Sequence, residues 1–383
     1  MVNNPFLPQH LVGRQTELAK VSQILKDDGD LLIAGVAGSG RQTLVRWAAH
    51  QVGARVLTID CLRTTDGERF LQLLAESLMA VFTAPKEVTM IQGWIKDLPL
   101  ILEKATNDKF RLVWHQFPIS FGNASRSGGI LPQTELWEIF QALLSLPQKM
   151  AEGLDCRVVI VLQNFTHIRS WDRKGTWEAY LRQEIQRQSR VSYALIATVT
   201  EPWMQDLSLH TVVLAPLSDR ELSTWLEPTM AAEGLLFDAN TPALELFASY
   251  VQGNFGDAIA LIRRIWLDCQ ALFHTKASKT EFLIQPHHVH RSMLALIEDL
   301  SPTFESLIML LPPSQVRVLE SLALDPTVSP HRREYIQKHQ LSKGGSLQGA
   351  LESLEQKGLV YGAEYGYQIA LPMLLFWLKQ RLS

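Results

Sequence analysis

The sequence predicts an α/β fold: a parallel sheet with helices on both faces, followed by an all-helical segment and a small C-terminal module. Three observations carry this. Short apolar runs rich in β-branched residues recur at residues 31–34, 54–60, 157–162, 191–197 and 211–214. Their apolarity is nearly continuous, as strands buried on both faces require. Longer amphipathic stretches lie between them, such as Phe70 to Leu78 and Leu136 to Leu144, and alternation of this kind marks a sheet covered on both sides. After Leu217 the texture turns helical. Ser218-Asp-Arg-Glu-Leu222 reads as a capped helix start with an acidic first turn, and helical periodicity runs to about Ile297 with no strand expected.

From Pro312 the spacing tightens. Helices are predicted at 314–324, 333–339 and 346–357, then two extended runs at 359–361 and 367–370 joined by Gly362 to Gly366. Three helices followed by a hairpin is winged-helix order. A further extended run, Phe110 to Phe117, leads into the glycine-rich segment 122–129, expected as a surface loop. These shifts divide the 383 residues into segments 1–217, 218–300 and 301–383, in keeping with about 150 residues per domain.

Composition narrows the functional classes. With 36 Lys+Arg against 39 Asp+Glu, the chain is no polycation built to coat nucleic acid. A 46% hydrophobic content excludes a largely disordered chain. Three scattered cysteines (Cys61, Cys156, Cys269) form neither a disulfide framework nor a CxxC pair. No apolar run approaches the roughly 20 residues of a membrane helix; Leu371 to Leu378 contains Pro372 and stops at Lys379. The first ten residues lack a basic leader and an apolar stretch. No membrane association and a reducing, cytoplasmic setting are expected.

The sharpest motif is Gly35-Val36-Ala37-Gly38-Ser39-Gly40-Arg41-Gln42-Thr43, which leaves a predicted strand and opens a predicted helix. Glycines let the backbone wrap so that successive N–H groups point at anionic oxygens, and the helix start adds partial positive charge. This is a phosphate-binding loop with an altered end. The pattern asks for Lys and then Ser or Thr after Gly40, and the chain has Arg41 and Gln42. Arginine keeps the charge, but its planar fork does not replace a compact ammonium. Gln42 lacks the hydroxyl that ligates Mg²⁺, and Thr43 lies about 100° further round the helix. Hydrolysis also needs a carboxylate at the end of a neighbouring strand. There, Val158-Val-Ile-Val-Leu-Gln163-Asn164 ends in two neutral amides, and an amide can orient water but cannot take its proton. Asp60 and Glu201 end adjacent strands and are the candidates to compensate.

With these motifs the chain resembles the AAA+/STAND class of P-loop NTPases, in particular archaeal-ATPase-like proteins related to origin-recognition initiators. Leu11-Val12-Gly13-Arg14 resembles the box that packs on adenine; Gly35 to Thr43 resembles Walker A, and Val158 to Asn164 resembles Walker B, both degenerate. Val251-Gln-Gly253-Asn254-Phe-Gly256-Asp-Ala258 resembles the helical-lid segment that carries a second sensor, with Ile259 at the arginine position and Arg263 or Arg264 as stand-ins. The fourth-strand sensor is similar to Ala197-Thr198-Val199-Thr200, without an arginine, and Glu201 to His210 holds no arginine finger. The resemblance implies ATP or ADP, with or without Mg²⁺, lying between sheet and lid. It implies a binding set of Val12, Gly13, Arg14, Gly35 to Thr43, Gln163, Asn164, Thr198 and Arg263.

Other constellations carry less. The predicted recognition helix, Ser346 to Lys357, has two acids and one base, and the module from Ser301 has eight basic against seven acidic residues. This favours protein contact over DNA reading, with DNA kept as the alternative. His287-His288-Val-His290 reads as a solvated helix start rather than a metal site. Arg169 to Lys174 with Arg182, Arg187 and Arg190 reads as a solvated basic face, and the tryptophans as core anchors. The expectation is a regulatory nucleotide-binding protein with weak or no hydrolysis, whose occupancy controls a protein partner. The alternatives are an active DNA-associated ATPase and a ligand-free scaffold.

Overall fold

The apolar runs become strands of one sheet. In a computed structural model the described residues are 6, 10–96, 100–104, 110–114, 133–185, 187–200, 209–273 and 282–382. Strands β1 (Leu31–Ala34), β2 (Arg55–Asp60), β5 (Val158–Gln163), β6 (Val191–Ala197) and β7 (His210–Val213) form a five-stranded sheet in the order β2-β5-β6-β1-β7. β5 pairs in parallel with β2 and β6, so Asp60, Gln163 and Ile196 lie abreast at one end. All of β6, and all of β5 except Gln163, is buried, which explains the absence of alternation in these runs.

Two compact units divide the chain. One contains residues 16–33 and 42–212, with helices α1 (Gln15–Lys26), α2 (Arg41–Gln51), α3 (Gly67–Val81), α4 (Pro85–Ile95), α5 (Gln133–Leu154) and α6 (Thr176–Ile185). Its core is dominated by Phe70, Phe140, Phe165 and the apolar faces of β2, β5 and β6. Trp177 stacks 4.3 Å from Phe140 and lies 5.9 Å from Trp137, so these two tryptophans anchor the core, whereas Trp94 is exposed and does not. The extended run at Phe110 is a strand but not part of the sheet. Phe110–Trp114 (β4) pairs antiparallel with Leu100–Lys104 (β3) as a separate ribbon. β3 escaped the sequence reading because residues 91, 95, 98 and 102 keep the apolar spacing of the preceding helix. The segments 122–129 and 201–208, expected as a loop and as a stretch without an arginine finger, lie outside the described residues.

The other unit contains residues 1–15, 34–41 and 213–383. Its helices are α7 (Asp219–Ala232), α8 (Ala243–Val251), α9 (Phe255–Phe273), α10 (Pro286–Leu310), α11 (Pro313–Leu324), α12 (Arg333–Lys338), α13 (Gly345–Gln356) and α14 (Pro372–Leu382). Ser218 caps α7 as its sequence suggests: its hydroxyl accepts from the Glu221 amide, and Glu221 reaches back to the Ser218 amide at 2.8 Å. The expectation of no strand between 218 and 300 fails. Leu235–Phe237 (β8) and Phe282–Ile284 (β9) pair in parallel, and at three residues each they are too short to show a period. The winged-helix order holds, with Val360–Tyr361 (β10) and Gln368–Ile369 (β11) forming an antiparallel pair after α13. α10 runs unbroken through residues 300 and 301, and one core joins α8, α9 and α10 to α11, α13 and α14. Among the described residues no helix is long and apolar enough to cross a membrane.

Candidate functional site: a phosphate loop held by the helical segment

The loop between β1 and α2 turns where its glycines allow. Gly38 and Gly40 have φ of +83° and +87°, a region that side chains rarely tolerate. α2 then begins at Arg41, and its first four amides have no partner within the helix. Ser39 is 7% exposed, and its hydroxyl has no hydrogen-bond partner. A buried hydroxyl left in this state costs about 1–3 kcal/mol, which an anionic oxygen in the loop would recover. Burial lowers the Arg41 guanidinium from its usual range. Gln42 is half-buried and Thr43 is exposed, as expected one residue further round the helix.

The loop is clamped from the start of α9. Asn254 precedes that helix and caps it, its side-chain oxygen accepting from the Asp257 amide at 3.1 Å. The same side chain donates from Nδ2 to the Ala37 carbonyl at 3.0 Å, and the Gly256 amide donates to the Gly38 carbonyl at 3.1 Å. The approach is close enough that a Cβ on Gly38 would lie 2.3 Å from Asn254 Oδ1. Gly253, at φ +75°, leaves its carbonyl to accept from the Leu217 amide at 2.9 Å. In the sequence Asn254 stands out only as part of the lid segment, yet an Asn directly before a helical run is a cap signature that singles it out.

Gly13 and Arg14 sit on the start of α7. Both have left-handed backbones, at φ +60° and +66°. A Cβ on Gly13 would lie 2.7 Å from Glu221 Oε1, and the Arg14 guanidinium donates to the Ala215 carbonyl. The Ser218 amide and hydroxyl, with Arg14 nearby, hold the Glu221 carboxyl below its usual range. Val12 packs on the core of this unit. Of the two arginines considered on α9, Arg264 is spent on ion pairs with Asp268 and Asp299. Arg263 is exposed and, seven residues after Gly256, lies on the same helix face two turns on.

The ends of β2, β5 and β6 form a second polar group, in the sheet unit. Asn164 follows β5 at φ +51° and donates from Nδ2 to Asp60 Oδ1 at 3.2 Å. Its own amide donates to the Ile196 carbonyl at 3.0 Å. Asp60 Oδ1 also accepts from the Leu62 amide at 3.1 Å, so the acid considered as a replacement base is already a local cap. Gln163 and Thr198 are half-buried, and Glu201 lies outside the described residues. The basic stretch after β5 is largely neutralised internally. Arg169 and Arg182 share the buried Glu178, Arg187 pairs with Glu184, and Arg190 pairs with Asp155.

The C-terminal module presents a weakly acidic surface where a DNA reader would carry bases. Gly345, Ser346, Gly349, Glu352 and Gln356 are the exposed positions of α13. Burial, and then Glu364 and Glu352, push the Glu355 carboxyl up from its usual range. Arg332, Arg333 and Lys343 are exposed, whereas Lys338 pairs with Asp325. The histidines at α10 are engaged locally: His288 Nδ1 accepts from the Gln285 amide at 3.0 Å, and His290 Nδ1 lies 2.6 Å from the Tyr250 hydroxyl.

Comparison with known proteins fits this architecture. Residues 302–380 match the family described as "Probable winged helix domain". No curated protein matches the chain by sequence. Among solved structures, the Walker-type ATPase PABY2304 of Pyrococcus abyssi superimposes over 99% of both chains with a TM-score of 0.64 at 14% identity. The Orc1 protein of Aeropyrum pernix, solved in complex with DNA, covers 99% of this chain and 97% of its own at TM-score 0.49 and 15% identity. At 14% identity the likeness to PABY2304 is one of fold. The chain therefore shares the fold of that Walker-type ATPase, a parallel sheet and helical segment followed by a C-terminal winged helix.

Proposed function

We propose that the protein binds ATP or ADP as a regulatory ligand, hydrolyses it slowly or not at all, and uses occupancy to control contacts of its helical segment and winged helix with a protein partner. The observation that carries this reading is the loop at 35–41. It keeps left-handed glycines, a helix start and a buried, unpaired Ser39 hydroxyl, a set of features that fits a phosphate. Gly35 to Thr43 would hold the phosphates, Val12, Gly13 and Arg14 the base side, and Arg263 would act as the second sensor. The nucleotide would bring negative charge to the loop, and the chain supplies the donors. Gln163 and Asn164 stand where the fold's acidic pair is expected, and neither accepts a proton at neutral pH. The segments 1–217, 218–300 and 301–383 serve as binding, lid and output parts.

Titration of the full chain with fluorescently labelled ATP and GTP, with and without Mg²⁺, tests binding; release of inorganic phosphate tests turnover. Micromolar binding with turnover near the uncatalysed background is expected. Fast turnover would remove the regulatory reading, and no binding at millimolar ligand would remove both parts. A second reading, an active ATPase working on DNA, is favoured by the winged helix at 302–380. It requires DNA affinity that falls steeply between 50 and 200 mM salt, together with DNA-stimulated turnover.

A further inference from the structure

The four residues Asn254 to Asp257 touch both ends of a path. At one end they hold the phosphate loop, through Asn254 Nδ2 to the Ala37 carbonyl and the Gly256 amide to the Gly38 carbonyl. At the other, the Asp257 carboxylate accepts a long bond, 3.4 Å, from the Met373 amide in the first turn of α14, the last helix of the winged-helix module. Residues 34–41 belong to the same compact unit as these elements, whereas the helix that the loop opens continues into the other unit. Asn254 works twice with one side chain: Oδ1 caps α9 while Nδ2 grips the loop. Gly38 and Gly256 face each other so closely that a Cβ on Gly256 would stand 3.0 Å from the Gly38 Cα. A shift of the loop by even half an ångström must therefore move the first turn of α9 or break these bonds, because close-packed contacts are stiff.

We infer that the Asn254–Asp257 turn is the coupling element that carries phosphate-loop occupancy to the winged helix, with Asn254 as the positioning residue on the loop and Asp257 as the contact on α14. This rests on the nucleotide-binding reading above and names how that site is regulated. The turn needs no catalytic step: a ligand that favours one loop position favours one position of α14. The alternative route, through the sheet unit, would leave the turn a passive cap.

Hydrogen–deuterium exchange on the full chain, with and without excess ATP, tests it. In the parent chain ATP slows exchange in residues 35–41 and changes it in 372–382. In Asn254→Ser the hydroxyl still caps α9 but is too short to reach Ala37. The loop response survives at 5- to 30-fold weaker ATP affinity, and the response in 372–382 disappears. In Asp257→Ala affinity stays within threefold, and the response in 372–382 is again lost, which keeps the test alive if the first variant folds poorly. An unchanged response of 372–382 in both variants overturns the coupling. A loop response without any response of α14 in the parent chain also overturns it while leaving nucleotide binding intact. No loop response in the parent chain removes the nucleotide reading and the coupling together.

Discussion

The phosphate loop and the polar ends of β2 and β5 have been left in opposite states. In the loop, the Ser39 hydroxyl is buried with no partner, although the Ala37 and Gly38 carbonyls are held by Asn254 and Gly256. At the strand ends, polar groups are consumed at home: Asn164 bonds Asp60, and Asp60 caps the turn at Leu62. Since unpaired buried polar groups are costly, the proposed nucleotide would satisfy the first region, whereas the second is already satisfied. Under the proposed function, the difference separates holding an anion from activating water.

The largest effect should come from filling the loop. Gly38→Val places a branched side chain at φ +83° and against Asn254 Oδ1. We expect a loss of about 3 kcal/mol and at least tenfold weaker ATP binding, read by thermal melts and labelled-ATP titration. Retained affinity would break the assignment of the loop as the holding region.

A buried acid in the sheet unit gives the next effect. Asp30 accepts from the Tyr193 amide at 2.7 Å, and burial pushes its carboxyl up to about 7. Its folded pKa lies above the unfolded value near 3.8, so the folded chain binds the extra proton. Stability is then full at low pH, falls as pH rises from about 4 to about 7, and is flat above. Asp30→Asn keeps an acceptor for Tyr193 and removes the charge. It should stabilise the protein by about 1–3 kcal/mol at pH 8 and by almost nothing at pH 4, as denaturation at the two pH values would show. Because nucleotide affinity should not change, this variant also sharpens the separation between the two regions.

The smallest effect is expected at the satisfied strand end. Asp60→Ala removes the bond from Asn164 and the cap on Leu62, costing about 1 kcal/mol, with ATP affinity and phosphate release both unchanged. A fall in phosphate release would make Asp60 a working base and erase the contrast. The converse trial is restoration: Arg41→Lys, Gln42→Thr, Gln163→Asp and Asn164→Glu together should raise turnover. The last change also costs about 1 kcal/mol, since Asn164 sits in the left-handed region.

Much of this was legible in the sequence. The main strands were given by their unbroken apolarity, the phosphate loop by three glycines between a strand and a helix, and the winged helix by element order. The Ser218 cap was readable because an N-terminal cap is a local device within one turn. The short strands β8 and β9 and the ribbon strand β3 were not, because their formation depends on a partner distant in sequence.

Residue types alone determined that a glycine-rich turn joins a strand to a helix at 35–43 and that Gln163 and Asn164, not acids, stand at the end of β5, since those features belong to individual residues. Only the tertiary structure decided where the loop is fastened. The grip of Asn254 on Ala37 spans 217 residues, and no local pattern encodes a contact whose energy exists only after both segments have packed. The same holds for Asp60, whose carboxylate is acidic in any sequence but is committed to Asn164 and Leu62 once the strands lie side by side.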